Sequence, residues 1–287
     1  MTHCKICDDA TTVYAEAVIR KRYETQLLRC VNCGFLFIAE PTWLSEAYAE
    51  PINRSDTGYV SRNLWARDAM RRFIETNLNP EGVFLDYAAG YGLFVRLMRD
   101  AGYDCRWSDL YCANLFSQGF EAVNPLVGPF EAITAFEVFE HLTDPKEEMK
   151  ILSAITPYVL FSTKLLPEPP PKLDDWWYYG LGHGQHVAFY TTKSLKLLAA
   201  QFGYHFTTDG ADLHVFSRRP IRREFFSPDK ASSLRWLLFK KAARLLGLAK
   251  ERPERVPLTM ADHDFIIKQI SSGGAELSTS TVSNAAI

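Results

Sequence analysis

Several features that would define a partner class are missing from this chain. No run approaches the roughly 18–20 consecutive apolar residues that a membrane-spanning helix needs. The first residues, Met1-Thr2-His3-Cys4-Lys5, contain no apolar stretch of the signal-peptide kind. Neither sign of charge is in excess: 32 Lys and Arg stand against 34 Asp and Glu, a formal net charge of -2. A protein that coats nucleic acid is therefore not expected. No internal repeat is visible. What remains reads as a cytoplasmic protein of 287 residues, 47% hydrophobic and 13% aromatic, with material for one sizeable core and a smaller appendage.

Cysteine is sparse too, at six residues, but its placement is informative. Four of the six fall in two C-x2-C pairs, Cys4 with Cys7 and Cys30 with Cys33. In a reducing compartment that pattern favours metal over disulfides. Two residues between cysteines let one tight turn aim both sulfurs at a tetrahedral ion, and a second such turn closes the shell. Gly34 follows the second pair, where a knuckle turn commonly needs positive φ. The β-branched and aromatic stretches Thr12–Val18 and Gln26–Ile38 predict a small ribbon of strands around a structural Zn2+. A closed shell leaves no position for chemistry. Cys105 and Cys112 read as small buried hydrophobes.

Beyond the ribbon, Ser55–Asn77 reads as a helix ended by Asn79-Pro80. Short apolar strands then alternate with helical segments: Gly82–Asp86, Leu93–Asp100, Asp104–Asp109, Ala132–Glu137, Pro145–Ala154 and Tyr158–Ser162. Such alternation argues for a parallel sheet covered on both faces. A Pro-rich loop, Pro167–Pro171, leads to Trp176-Trp177-Tyr178-Tyr179. A helix over Thr192–Phe202 and strands near Tyr204–Thr208 and Leu213–Phe216 complete the block. Composition then changes: residues 218–255 carry 12 basic and 4 acidic side chains, net +8, leaving the rest near -10. Leu234, Leu237, Leu238, Ala242, Leu245 and Leu246 recur there at helical spacing. This segment is either a solvated helix packed on the core or an amphipathic element touching an anionic membrane surface or a partner. The Ser, Thr and Ala of 271–287 offer little to bury. The predicted division is 1–40 ribbon, 41–78 helical connection, 79–217 core, and 218–287 basic helical tail with a disordered end.

The strand ending at Asp86 runs into Tyr87-Ala88-Ala89-Gly90-Tyr91-Gly92 and then a helix, a turn that brings backbone close to a ligand at the carboxyl edge of a parallel sheet. The dinucleotide fingerprint G-x-G-x-x-G is broken by Ala88 and Leu93. The turn resembles instead the D-x-G-x-G-x-G motif of class I S-adenosylmethionine-dependent methyltransferases, with Ala88 in place of the first glycine. Thr134–Pro145, with its E-V-x-E-H-x-x-D-P pattern, is similar to the segment after the fourth strand of that family. The resemblance covers roughly residues 79–216. It implies a Rossmann-like class I methyltransferase sheet with helices on both faces, an α/β fold, beside the small zinc ribbon. It also implies S-adenosylmethionine as cofactor, held by Asp86, Ala88, Gly90, Gly92, Asp109, Leu110, Phe136 and Glu137. Asp109 follows Asp86 at about the ~20-residue interval at which an acid meets ribose hydroxyls. No clear acid occupies the adenine position after the third strand, where Asn114–Pro129 is abbreviated. Leu110, Tyr111 and the backbone of 116–119 are candidates for the adenine pocket.

Methyl transfer to a hydroxyl is an in-line displacement that needs positioning and a proton acceptor, for which histidine suits neutral pH. His141 follows the fourth strand, and His183-Gly184-Gln185-His186 precedes the next helix. A four-cysteine module ahead of such a core resembles the C-methyltransferases of nucleotide-linked deoxysugars, in which the zinc module walls the substrate. There, a Y-x-E-H segment stands where this chain has His183, Gln185 and His186. Gln185 cannot act as the base that the acid supplies, and the second large C-terminal domain is missing. O-methylation of a sugar hydroxyl in a nucleotide-sugar or surface glycan follows as the favoured reading, with His186 and His141 as bases and Gln185 orienting the substrate. His183 is a third candidate, and Trp176–Tyr179 could face the sugar. The alternatives are rRNA or tRNA methylation, sugar C-methylation, and a non-catalytic zinc-linked scaffold.

Overall fold

The computed structural model describes residues 2–49, 56–122, 127–226 and 255–271. Alternating side chains organise its larger sheet, which has the order β5-β4-β6-β7-β10-β9. Its strands are β4 (Val83–Tyr87), β5 (Asp104–Ser108), β6 (Ala132–Phe136), β7 (Tyr158–Ser162), β9 (His205–Thr208) and β10 (Leu213–Ser217). The first four in that order run parallel, whereas β10 is antiparallel to both its neighbours.

One face of this sheet carries Leu85, Ile133, Ala135, Val159, Phe161 and Phe216, packed under α4 (Pro145–Ile155) and α5 (Thr192–Gln201). The other carries Phe84, Ala132, Leu160, Leu213 and Val215, under α2 (Tyr59–Asn77) and α3 (Leu93–Asp100). Period-two burial on both faces is what a helix-covered parallel sheet requires. Helix starts are set locally. Asp144 accepts from the Lys146 and Glu147 amides ahead of Pro145, and Thr191 forms a reciprocal capping box with Ser194. The Rossmann-like class I sheet expected from the sequence is present. Beyond β5, among the described residues, Trp107 makes a parallel bridge to Glu121.

The second sheet has the order β1-β2-β3-β8. It comprises β1 (Thr11–Ile19), β2 (Tyr23–Cys30), β3 (Leu36–Ile38) and β8 (Ala188–Phe189). Arg20 and Lys21, both at positive φ, make the tight turn between β1 and β2. The fourth strand is not part of the ribbon segment: it is the chain immediately after His186, paired with β3 through Leu36–Phe189 and Phe37–Ala188. Phe35 and Phe37 share a core with Phe139, Phe161 and Tyr190 of the larger unit. Residues 1–40 thus share a core with the larger unit.

Two further segments connect these parts. The short helix α1 (Leu44–Ala47) lies between the sheets in sequence, and α6 (Thr259–Ser271) packs on α3. Asp262 of α6 forms a buried pair with Arg99, at 2.7 Å, and also reaches Arg96. The helix expected from Ser55 begins at Tyr59. The amphipathic run 234–246 and the tail 272–287 lie outside the described residues. No helix among the described residues is long and apolar enough to cross a membrane.

Candidate active site and metal centre

The turn after β4 puts three alternate positions in the left-handed region: Ala88 at φ 54°, Gly90 at 54° and Gly92 at 85°. Glycine adopts that region freely, and alanine does so at a cost. Ala88 therefore keeps the backbone shape of the missing glycine and adds an exposed methyl. Gly92 is needed for a different contact: a Cβ there would lie 2.5 Å from the Ser117 Oγ and 2.6 Å from the Asn114 Oδ1. Asp86 is buried at the end of β4 and accepts from the Thr134 hydroxyl at 2.6 Å. Burial pushes its carboxyl up to about 7.

Asp109 ties the two strand ends together. Its Oδ2 accepts from the Gly90 amide at 2.8 Å, and its Oδ1 from the amides of Tyr111 and Cys112. Three of a carboxylate's roughly four acceptor sites are thereby used by backbone, so one is left for a ribose hydroxyl. Beside it Leu110, Tyr111, Leu115 and Phe116 expose large apolar surfaces at the sheet edge. Adenine has the flat apolar faces to cover them. Glu137, at the end of β6, holds a strained φ of 55° while its carboxylate accepts from the Ser162 hydroxyl at 2.6 Å. Phe136 packs edge-on against Phe94 and Trp65.

Across the cleft, the three histidines named from the sequence come together. The ring centroids of His141 and His186 are 5.0 Å apart, and those of His183 and His186 4.8 Å. Their hydrogen bonds define their tautomers. His186 Nδ1 lies 2.6 Å from the Tyr178 carbonyl and His141 Nδ1 3.1 Å from the Gln185 carbonyl. A carbonyl only accepts, so each Nδ1 carries the proton and each Nε2 keeps a bare lone pair. Burial, the leading cause for both, lowers His141 to about 4 and His186 well below its ordinary value. Both rings are neutral near pH 7. His183 differs: its Nδ1 accepts from the Gln185 amide at 3.1 Å, leaving the proton on Nε2.

Gln185 is buried, and its side-chain amide donates to the Ala47 carbonyl at 3.0 Å, tying the histidine loop to α1. Trp43 reinforces that tie through its indole N–H to the Gly184 carbonyl at 2.7 Å. Of the aromatic cluster, Tyr178 and Tyr179 are core residues and only Trp177 is broadly exposed. Two residues escaped the sequence reading. Tyr48 places its hydroxyl 3.0 Å from His141 Nδ1 and stacks on Tyr111, joining the histidines to the Asp109 loop. Glu140, inside the E-V-x-E-H run, is fully buried beside the Tyr178 and Thr163 hydroxyls, with no salt-bridge partner among the described residues.

All six cysteines are free thiols. Cys4, Cys7, Cys30 and Cys33 bring their sulfurs within 4.8 Å of one another, with Cys4–Cys33 at 3.6 Å and Cys7–Cys30 at 3.4 Å. Sulfurs held about 2.3 Å from a tetrahedral zinc stand roughly 3.8 Å apart, so both donor set and spacing fit that ion. The Cys33 thiol beside it holds Cys4 down at about 5. Cys105 is buried as expected, whereas Cys112 is half-buried.

A parallel sheet, a left-handed turn after its first strand and acids at two strand ends define a nucleotide-type methyltransferase architecture. The chain matches the methyltransferase domain family over residues 61–208 and belongs to it. No curated protein matches it in sequence. Among solved structures it is similar to CalO1, a methyltransferase in calicheamicin biosynthesis in its SAH-bound form, at 13% identity and a TM-score of 0.42, with 61% of each chain covered. A SAM-dependent methyltransferase from Bacteroides fragilis in complex with S-adenosyl-L-homocysteine is 14% identical, TM-score 0.38, over 52% of this chain and 76% of that one. The chain thus spans less than two thirds of the CalO1 length.

Proposed function

We propose that this enzyme transfers a methyl group to a hydroxyl of a sugar, in a nucleotide-sugar or a surface glycan, with His186 as general base and His141 beside it. The observation that carries this reading is the pair of bare Nε2 atoms, each fixed by an Nδ1–H donated to a backbone carbonyl. Asp86, Asp109, the Ala88–Gly92 turn and the apolar edge from Leu110 to Phe116 would hold S-adenosylmethionine. When bound, the cofactor supplies an electrophilic methyl on a sulfonium. With the cofactor bound, the His186 imidazole would take the hydroxyl proton as the oxygen is methylated. His183, with its proton on Nε2, is placed to donate to a sugar oxygen, and Trp177 offers the one open aromatic face of its cluster.

Zinc at Cys4, Cys7, Cys30 and Cys33 completes the reading as a structural ion. It would fix the ribbon whose β3 holds β8, and so fix the loop that ends at His186. Substrate identity is tested by incubating the enzyme with methyl-labelled S-adenosylmethionine and a mixture of nucleotide-sugars, glycans and total RNA. Label in the sugar fraction, lowered about 10²–10⁴-fold by His186→Ala, is the expected result. Label confined to RNA would overturn it.

A further inference from the structure

The buried carboxylate of Glu140 is the least explained polar group in the described molecule. It is fully enclosed, with the Tyr178 and Thr163 hydroxyls facing it and no salt-bridge partner among the described residues. An uncompensated buried carboxylate costs several kcal/mol, so such a group either takes up a proton or faces a cation. Its surroundings favour the cation. One ligating atom each from Glu140, His141 and His186 lie within 4.8 Å of one another. That is a 2-His-1-carboxylate set, well apart in type from the four thiols of the ribbon.

The imidazoles are prepared in the way that metal ligands usually are. A ligating histidine nearly always donates its other ring N–H to a carbonyl or carboxylate, which fixes tautomer and ring orientation. Here His186 does so to the Tyr178 carbonyl, and His141 to the Gln185 carbonyl with the Tyr48 hydroxyl alongside. Backbone geometry holds the carboxylate as firmly: the Glu140 carbonyl accepts from the Val187 amide at 2.8 Å, locking the Glu140 and His186 segments together. We infer that Glu140, His141 and His186 form a second metal site, for a divalent first-row transition ion with nitrogen and oxygen ligands. Two neutral imidazoles and one carboxylate suit such an ion, and three protein ligands leave coordination positions open.

This inference rests on the same cleft as the methyl-transfer reading; a metal-bound Nε2 has no lone pair for a proton, so the ion-free form supplies the base and the ion-bound form holds the histidines out of that role. The test is therefore a binding measurement on the full-length chain, with the cysteine site first filled with zinc and Co2+ then titrated against visible absorption. One additional Co2+ per chain is expected, with weak d–d bands and no sulfur-to-cobalt charge transfer. Glu140→Gln, which keeps shape and removes charge, should weaken that binding about 10-fold or more, and His186→Asn likewise. Absence of any Co2+ bound without sulfur in the wild-type chain would overturn the site, as would binding that neither substitution alters. S-adenosylmethionine binding in the same samples reports separately on folding and on the methyltransferase reading.

Discussion

The two sheets use the same alternation of side chains and are filled in opposite ways. Every residue of β7 is buried, whereas in β1 only Ala17 and Ile19 are. The larger sheet has helices on both faces to exclude water. The smaller one has a cysteine cluster, a shared core and a two-residue strand borrowed from the histidine loop. One sheet is stable through its own burial, the other through attachments, and the histidine loop is itself one of those attachments.

Loss of a zinc ion held by the four cysteines would break this comparison hardest. Structural zinc contributes about 10–16 kcal/mol of binding in isolated fingers. Cys30→Ser, or stripping by a strong chelator, should lower methyl transfer by about 100-fold or more while S-adenosylmethionine binding, measured by calorimetry, changes little; 100-fold is the scale of losing one positioned base. Equal loss of both would make the two sheets a single cooperative unit. On the other side, Asp262→Ala leaves the buried Arg99 with Asp104 as its remaining ion-pair partner. Urea unfolding of the larger unit should show about 3 kcal/mol of destabilisation, with the metal content of the ribbon unchanged.

A smaller effect separates the cofactor edge from the rest. The Asp86 carboxyl titrates near 7 in the fold against 3.8 for the ordinary group. The folded state therefore binds a proton that the unfolded chain has already released, and this contribution, complete below pH 4, disappears as pH rises to 7. In the cofactor-free protein, stability should fall on the order of 3 kcal/mol across that window from this group. Asp86→Asn should abolish that part of the slope. Smallest of all, Ala88→Gly relieves a left-handed alanine and should raise the melting temperature, by about 0.5–1 kcal/mol in stability after the entropy of glycine is subtracted. A loss of stability there would mean that the Ala88 methyl packs usefully.

Elements with their own periodicity were legible in the sequence. The α3 span coincides with the segment read from Leu93 to Asp100, and β4, β5, β6, β7 and β10 fall within a residue or two of their predicted ends. The four cysteines and three histidines were also identifiable as groups, because their spacing or motif is local. Elements made by their partners were not legible. β8 is two residues long and exists through its pairing with β3, while α6 is tied down by the Asp262–Arg99 pair far away in sequence. Trp176–Tyr179 reads as a sugar platform, yet Tyr178 and Tyr179 are consumed by packing. Glu140 was visible inside its motif, but what distinguishes it, complete enclosure without a paired cation, is a property of tertiary structure alone.

The strand order of the smaller sheet has a practical consequence for dissecting the protein. Its seam runs between residues far apart in the chain, so cutting after residue 40 would not release a module. It would split a sheet, leaving the β3 edge bare on one fragment and β8 unpaired on the other. The two pieces should reassemble when mixed, and a chimaera that transplants the ribbon onto a different methyltransferase would have to carry residues 183–189 with it.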